Sequence, residues 1–172
     1  MSRVALVTGG TRGIGRGCSL ALKEAGYNVA ANYGGNDERA KIFGQESGIP
    51  IYKWDVGDLQ ACEKGIAEVE TDLGVIEILI NNASIFDKIN LADISVDNWD
   101  RHLAINLRAP FLLAQAMQAQ LGDDSHGKII SLNDWRTARP TRFAYGVTKT
   151  ALSGLTRTLA LSMAPNVQAN EI

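Results

Sequence analysis

Short apolar runs alternate along this chain with longer stretches whose apolar positions recur at helical spacing. Residues 4–8 form the first apolar run and 9–15 a glycine-rich turn. A helix over 14–25 then carries Ile14, Cys18, Leu20, Ala21 and Leu22 inward, with Gly26 as its stop signal. The same pattern predicts strands over 28–32, 50–54 and 76–80, with helices over 37–46 and 58–73 between them. A long helix over 96–121, N-capped by Ser95, leads to a strand over 128–132 and a helix over 143–164. A sixth strand over 167–172 is interrupted by the chain end. Runs such as Val-Ala-Leu-Val and Ile-Leu-Ile are apolar on both faces, as in a parallel sheet covered by helices on both sides. Strand–helix units of this length join by right-handed crossovers, so the expected fold is α/β, three-layered and doubly wound.

Composition narrows the picture. With 172 residues, 45% of them hydrophobic and 21% charged, the chain has the make-up of one ordinary globular domain over 1–172. The net charge of −2 and the lack of a polybasic run argue against nucleic acid or an anionic membrane surface as partner. No apolar stretch approaches the roughly 20 residues of a membrane span, and the opening residues run straight into a strand, which predicts a cytoplasmic protein without a leader. Cys18 and Cys62 lie on different predicted helices with no metal-ligand spacing, so they read as small buried thiols in a reducing compartment, with no metal site.

Chemistry enters at the turn Thr8-Gly9-Gly10-Thr11-Arg12-Gly13-Ile14-Gly15, which follows a strand and opens a helix. Glycines there permit a tight bend and close approach of a pyrophosphate to the helix amides. An acid at the end of the second strand takes the ribose 2′-hydroxyl in NAD sites. Here that strand ends Ala30-Ala31-Asn32-Tyr33-Gly34-Gly35, with no acid before Asp37, and Arg12 offers a cation for a 2′-phosphate. NADP(H) is therefore the expected cofactor, the alternative being that Arg12 is simply solvated.

With Thr8-Gly9-x-x-x-Gly13-x-Gly15, Asp55, Asn81-Asn82-Ala83, Asn106 and Tyr145-x-x-x-Lys149 in this order, the chain resembles the short-chain dehydrogenase/reductase family over essentially its whole length. The resemblance implies a Rossmann fold with about six parallel strands. It places Asp55 at the adenine ring, Asn81 and Ala83 along the cofactor, and Asn106 holding a water linked to Lys149. Gly9, Thr11, Arg12, Gly13, Ile14 and Gly15, with Asn32, Tyr33, Val56, Ser84, Tyr145 and Lys149, complete the expected cofactor contacts. Tyr145 is the candidate proton donor. Lys149, one helical turn on, holds the ribose, and its ammonium with an oxidised nicotinamide is expected to lower the phenol pKa. A tyrosine and lysine so spaced are also commonplace on solvated helix faces. The family further implies a homodimer or homotetramer through helices 96–121 and 143–164, acting on a small molecule.

The pattern breaks in three places. Counted from Gly127, the family's usual serine falls on Asp134, while Ser131 belongs to the strand. Asp134-Trp135-Arg136 and Asn82-Ala83-Ser84 resemble the pteridine-reductase-like branch over 84–172, whereas 1–82, with Tyr52-Lys53-Trp54-Asp55-Val56, resembles acetoacetyl-CoA reductases. Asp134 then assists protonation of a ring nitrogen, and Trp135 or Phe86 stacks on a flat heterocycle. The alternative for Asp134 is a cap on its own loop. The stretch from Asp134 to Tyr145 is about two residues shorter than usual, which is expected to displace the acid. Finally, the last strands and a substrate-covering segment are expected to be missing, leaving as alternatives a thioester reductase or a cofactor-binding fragment with little turnover.

Overall fold

Six parallel strands and their connecting helices follow the predicted order. The structure, a computed structural model, describes residues 2–122 and 125–172. Strands β1 (Val4–Val7), β2 (Asn28–Tyr33), β3 (Ile51–Lys53), β4 (Ile76–Asn81), β5 (Gly127–Ser131) and β6 (Val167–Glu171) form one sheet in the order β3-β2-β1-β4-β5-β6. Residues alternate faces along a strand, so Val4 and Leu6 enter one core and Ala5 and Val7 the other. The β1–β4 register shifts between Val4 and Ala5, skipping Glu77. Ile76 and Leu79 therefore join the first core, and Ile78 and Ile80 the second.

Helices α1 (Gly13–Glu24) and α2 (Asp37–Ser47) supply the second core with Leu20, Leu22 and Phe43. Helix α3 (Leu59–Leu73), started by the Asp58 side chain on the Ala61 amide at 3.0 Å, brings Cys62, Ile66 and Val69 to the first. Both cysteines are free thiols, Cys62 buried and Cys18 half-buried. Two inward assignments fail: Ile14 is 69% exposed and Ala21 is also exposed, while Gly15 and Ser19 are the buried residues of α1. The helix presents its smallest side chains because it lies against the glycine turn. A Cβ on Gly15 would come 2.2 Å from the Gly9 carbonyl oxygen, and Ser19 donates to the Gly10 carbonyl at 2.9 Å.

The long helix is not regular either. Ser95 caps α4 (Val96–Leu103) through the Asn98 amide at 3.1 Å, as expected, but a π-turn over Ala104–Arg108 precedes α5 (Ala109–Gln120). There the Ala109 amide donates to the Ala104 carbonyl, five residues back. Pro110 is the physical reason: its ring lacks an N–H and collides with a carbonyl four residues before it, and one extra residue in the turn relieves both. Helix α6 (Phe143–Ser162) stops two residues before the expected 164, ahead of Pro165, which has no amide to continue the ladder. No helix of the described residues is long and apolar enough to cross a membrane.

Candidate active site

The strand order reverses at β1 and β4, where chain segments diverge beyond the carboxyl ends of the strands. A cleft of about 420 Å³ opens there, lined among others by Gly9, Thr11, Arg12, Asn32, Tyr33, Asp55, Val56, Ala83 and Ser84. All nine were expected from the sequence. Gly13, Ile14, Gly15 and Asn81, also expected at the cofactor, do not line it, nor do Tyr145 and Lys149. Gly9 and Gly13 have φ of +62° and +53°, a region that favours glycine. The turn is locked from β4: Asn82 donates through Nδ2 to the Thr8 and Gly9 carbonyls at 2.8 and 3.2 Å. The Asn82 and Ala83 amides both donate to Thr8 Oγ1 at 3.0 Å. Asn32, almost fully buried, accepts from the Gly9 amide at 3.3 Å and donates to the Trp54 carbonyl at 3.0 Å.

Charge in the cleft is mostly positive. Arg12 and Arg39 line it with no guanidinium partner among the described residues. Asp37, the first acid after β2, is held by Lys53 at 2.8 Å and does not line the cleft. Arg39 escaped the sequence reading, although its place three residues after Asn36, the α2 cap, is the available signal. Arg101 also escaped it. It binds Asp55 at 2.5 Å, while the other Asp55 oxygen accepts from the Gly57 amide at 2.8 Å. Burial pushes the Asp55 carboxyl up, but Arg101 and the Gly57 amide outweigh it and hold it below its ordinary value.

Tyr145 and Lys149, buried on one face of α6, form the second half of the site. The Tyr145 hydroxyl donates to Asp134 at 3.1 Å, so the shorter connecting stretch does not separate them, contrary to expectation. Gly146 explains how the loop stays close: a Cβ there would lie 2.1 Å from the Thr137 carbonyl oxygen, so loop and helix touch backbone to backbone. Asp134 also accepts from the Arg136 amide at 2.8 Å, so the loop-capping alternative and the tyrosine contact hold together. Ser131 is buried in β5 and accepts from Asn81 at 3.4 Å, away from the acid. Asn106, within the π-turn, accepts from the Ile85 amide at 2.9 Å and donates to the Ile85 carbonyl at 3.0 Å and to Thr148 at 3.2 Å. It thereby ties the loop after β4 to α6.

Burial and then the Asp134 carboxylate push the Tyr145 phenol up to about 12, whereas the lowering expected from the sequence belongs to the site with an oxidised nicotinamide in place. Lys149 gives its ammonium to the Leu132 carbonyl at 2.5 Å, and burial lowers its own pKa to about 8. Burial also raises Asp134, but the Arg136 amide, the Tyr145 hydroxyl and the charges of Arg139 and Lys149 prevail and keep it ionised below the ordinary carboxylate range. Phe86 sets an edge against Tyr145, with centroids 4.4 Å apart, and the Arg142 guanidinium covers its ring at 3.7 Å. Trp135 is 90% exposed beside Arg136.

Residues 3–172 match the family described as short chain dehydrogenase. An acetoacetyl-CoA reductase of Rhizobium meliloti is 46% identical over 162 residues, covering 93% of this chain and 67% of that protein. A 3-oxoacyl-[acyl-carrier-protein] reductase of Staphylococcus aureus is 34% identical over 171 residues, 95% of this chain and 70% of its own length. Among solved structures, an alternative dihydrofolate reductase of Brucella canis complexed with NADP superposes with a TM-score of 0.90 at 30% identity, covering 98% of this chain and 71% of the other. The chain thus spans about two thirds of the length of these proteins.

Proposed function

Because this chain belongs to the short-chain dehydrogenase family, we propose that it is an NADPH-dependent oxidoreductase that reduces a C=N or C=O bond of a small molecule, with a pteridine-like heterocycle favoured. The glycine turn, where a Cβ on Gly9, Gly10 or Gly15 would meet other atoms within 3 Å, opens a helix whose first amides suit a pyrophosphate, while Arg12 and Arg39 suit an added 2′-phosphate. When bound, the dinucleotide supplies the hydride. Tyr145 then gives its proton to the heteroatom of the reduced bond, and the buried Lys149, its Nζ 5.9 Å from the Tyr145 ring, supplies the positive charge that a phenolate meets.

The observation that carries the substrate preference is the Asp134 carboxylate at the Tyr145 hydroxyl. A serine there donates a hydrogen bond to a ketone oxygen, whereas an ionised carboxylate only accepts and repels that oxygen. It suits the N–H and amino groups that flank a reducible C=N bond in a heterocycle. A second reading, a 3-oxoacyl or acetoacetyl thioester reductase, draws on the 46%-identical reductase and on Arg136, Arg139 and Arg142 near the acid. Steady-state turnover of a dihydropteridine against an acetoacetyl thioester separates the two. The unmodified chain is expected to prefer the dihydropteridine, Asp134→Ser to move toward the thioester, and Asp134→Ala to lose both. Unchanged kinetics in Asp134→Ala return that residue to a loop cap.

Cofactor choice is tested independently. Arg12→Ala is expected to weaken NADPH roughly ten- to a hundredfold and NADH little, as loss of a charge-assisted phosphate contact does. Equal titration of the two cofactors by the unmodified chain rejects the NADP(H) assignment. The same reading includes a cytoplasmic homodimer or homotetramer: an apolar furrow between α4–α5 and α6 holds Leu103, Leu107, Phe111 and Leu155, with Phe111 43% exposed.

A further inference from the structure

Resting on the reading of Tyr145 as acid and Asp134 as its neighbour, we propose that Arg139 is a positioning residue that fixes the Asp134 carboxylate against the Tyr145 hydroxyl, so that the pair is assembled before substrate arrives. One Arg139 nitrogen donates to both Asp134 oxygens, at 2.9 and 3.3 Å. Its Nε is spent on the Arg136 carbonyl at 2.8 Å, and its guanidinium lies 5.4 Å from the Phe86 ring that edges Tyr145. The side chain is therefore held from three directions around the acid. The Arg139 amide also donates to the Thr137 carbonyl at 3.0 Å, the same carbonyl that lies against Gly146, so the arginine is anchored to α6 through backbone.

The other nearby cations are engaged elsewhere. Arg136 meets Asp134 only through its amide and places its guanidinium beside Trp135. Arg142 covers Phe86 and donates to the Phe86 carbonyl, and Lys149 donates to Leu132. From β6, Glu171 approaches only through Asn133, which donates to it at 2.6 Å and accepts from the Asp134 amide at 2.9 Å. Removing Arg139 leaves the half-buried carboxylate with a phenol, one amide and the more distant charge of Lys149, free to turn away and easier to protonate.

The pH dependence of kcat and KM with the favoured substrate, for the full chain and its Arg139→Ala, Arg139→Lys, Asp134→Asn and Arg139→Ala/Asp134→Asn forms, tests this. Arg139→Ala is expected to lower kcat up to about a hundredfold, as a misplaced catalytic group does, with the KM for NADPH unchanged. Its acid limb should rise by about one pH unit or more. Arg139→Lys restores the limb and part of the rate, and the double variant is no slower than Asp134→Asn alone. An unmoved limb, or losses that add in the double variant, overturns the role of Arg139. A near-normal Asp134→Asn instead overturns the underlying assignment of Asp134. Carbon-13 NMR titration of the Asp134 carboxyl needs no turnover: its midpoint should rise in Arg139→Ala, and an unchanged midpoint rejects the proposal.

Discussion

Tyr145→Phe should abolish reduction while leaving the dinucleotide bound. Removing a positioned proton donor costs on the order of a hundred- to ten-thousandfold in rate. Tyr145 lies outside the lining of the dinucleotide cleft, so titration with NADPH should change little. Burial and Asp134 hold the phenol protonated up to about 12, the form a reductase needs. The alkaline limb then belongs to Lys149. Its folded-state pKa, lowered by burial to about 8, lies below the ordinary lysine value, so its proton leaves as pH rises through that point. The phenolate formed in the reaction then loses its counter-charge, and the rate should fall above about pH 8. Steady-state rates across pH, paired with NADPH fluorescence titrations, check both parts. A Tyr145→Phe chain with near-normal rate overturns the assignment.

Gly15→Ala should remove cofactor binding and weaken the fold together. The added carbon meets the Gly9 carbonyl oxygen at 2.2 Å and Asn82 Nδ2 at 2.5 Å, and neither the turn backbone nor the side chain that caps it can yield without opening the cradle. Forced overpacking of this kind costs roughly 1–3 kcal/mol. Gly17→Ala is the control. It lies in the same helix with nothing within 4 Å of its Cβ, so the substitution should be neutral or raise stability by up to about 1 kcal/mol. Thermal melts and NADPH titration of the two variants decide the matter, and equal behaviour would show that the close contact is unimportant.

The strand–helix order was legible because a buried parallel sheet demands apolar runs and its crossover helices demand period 3.6. The glycine turn was legible because few other uses put four glycines within seven residues where a strand passes into a helix. Ile14 was misplaced because periodicity marks which residues are apolar, not which face is smallest. Where a helix must touch a turn, Gly15 and Ser19 outrank isoleucine. The π-turn had a local signal in Pro110 that helical spacing alone overrides. At the site, the family resemblance rather than residue type alone pointed to Tyr145, Lys149 and Asp134, and the structure brings Asp134 to Tyr145. The state of the phenol was not predictable, since it depends on how deeply Tyr145 is buried and on the Asp134 carboxylate that its hydroxyl meets. Arg39 and Arg101 were missed for a similar reason: a cation on an exposed helix turn reads as solvated until its neighbours across the cleft are known.

The wide turn at Ala104–Arg108 makes the long helix two rotors on one axis. One residue in a helix corresponds to about 100° of rotation, so the extra residue sets the azimuth of α5 relative to α4. The upstream half is phased to meet α6, and the downstream half is phased to bury Leu113 and Met117 over the sheet beside α3. Length in this segment is therefore quantised. A single deletion would straighten the helix and swing Leu113 and Met117 out of phase with the core, and it would draw Asn106 away from Ile85 and Thr148. Drift in chain length between β4 and β5 can accumulate in the loop before Ser95, but not here, where residue count is an angle.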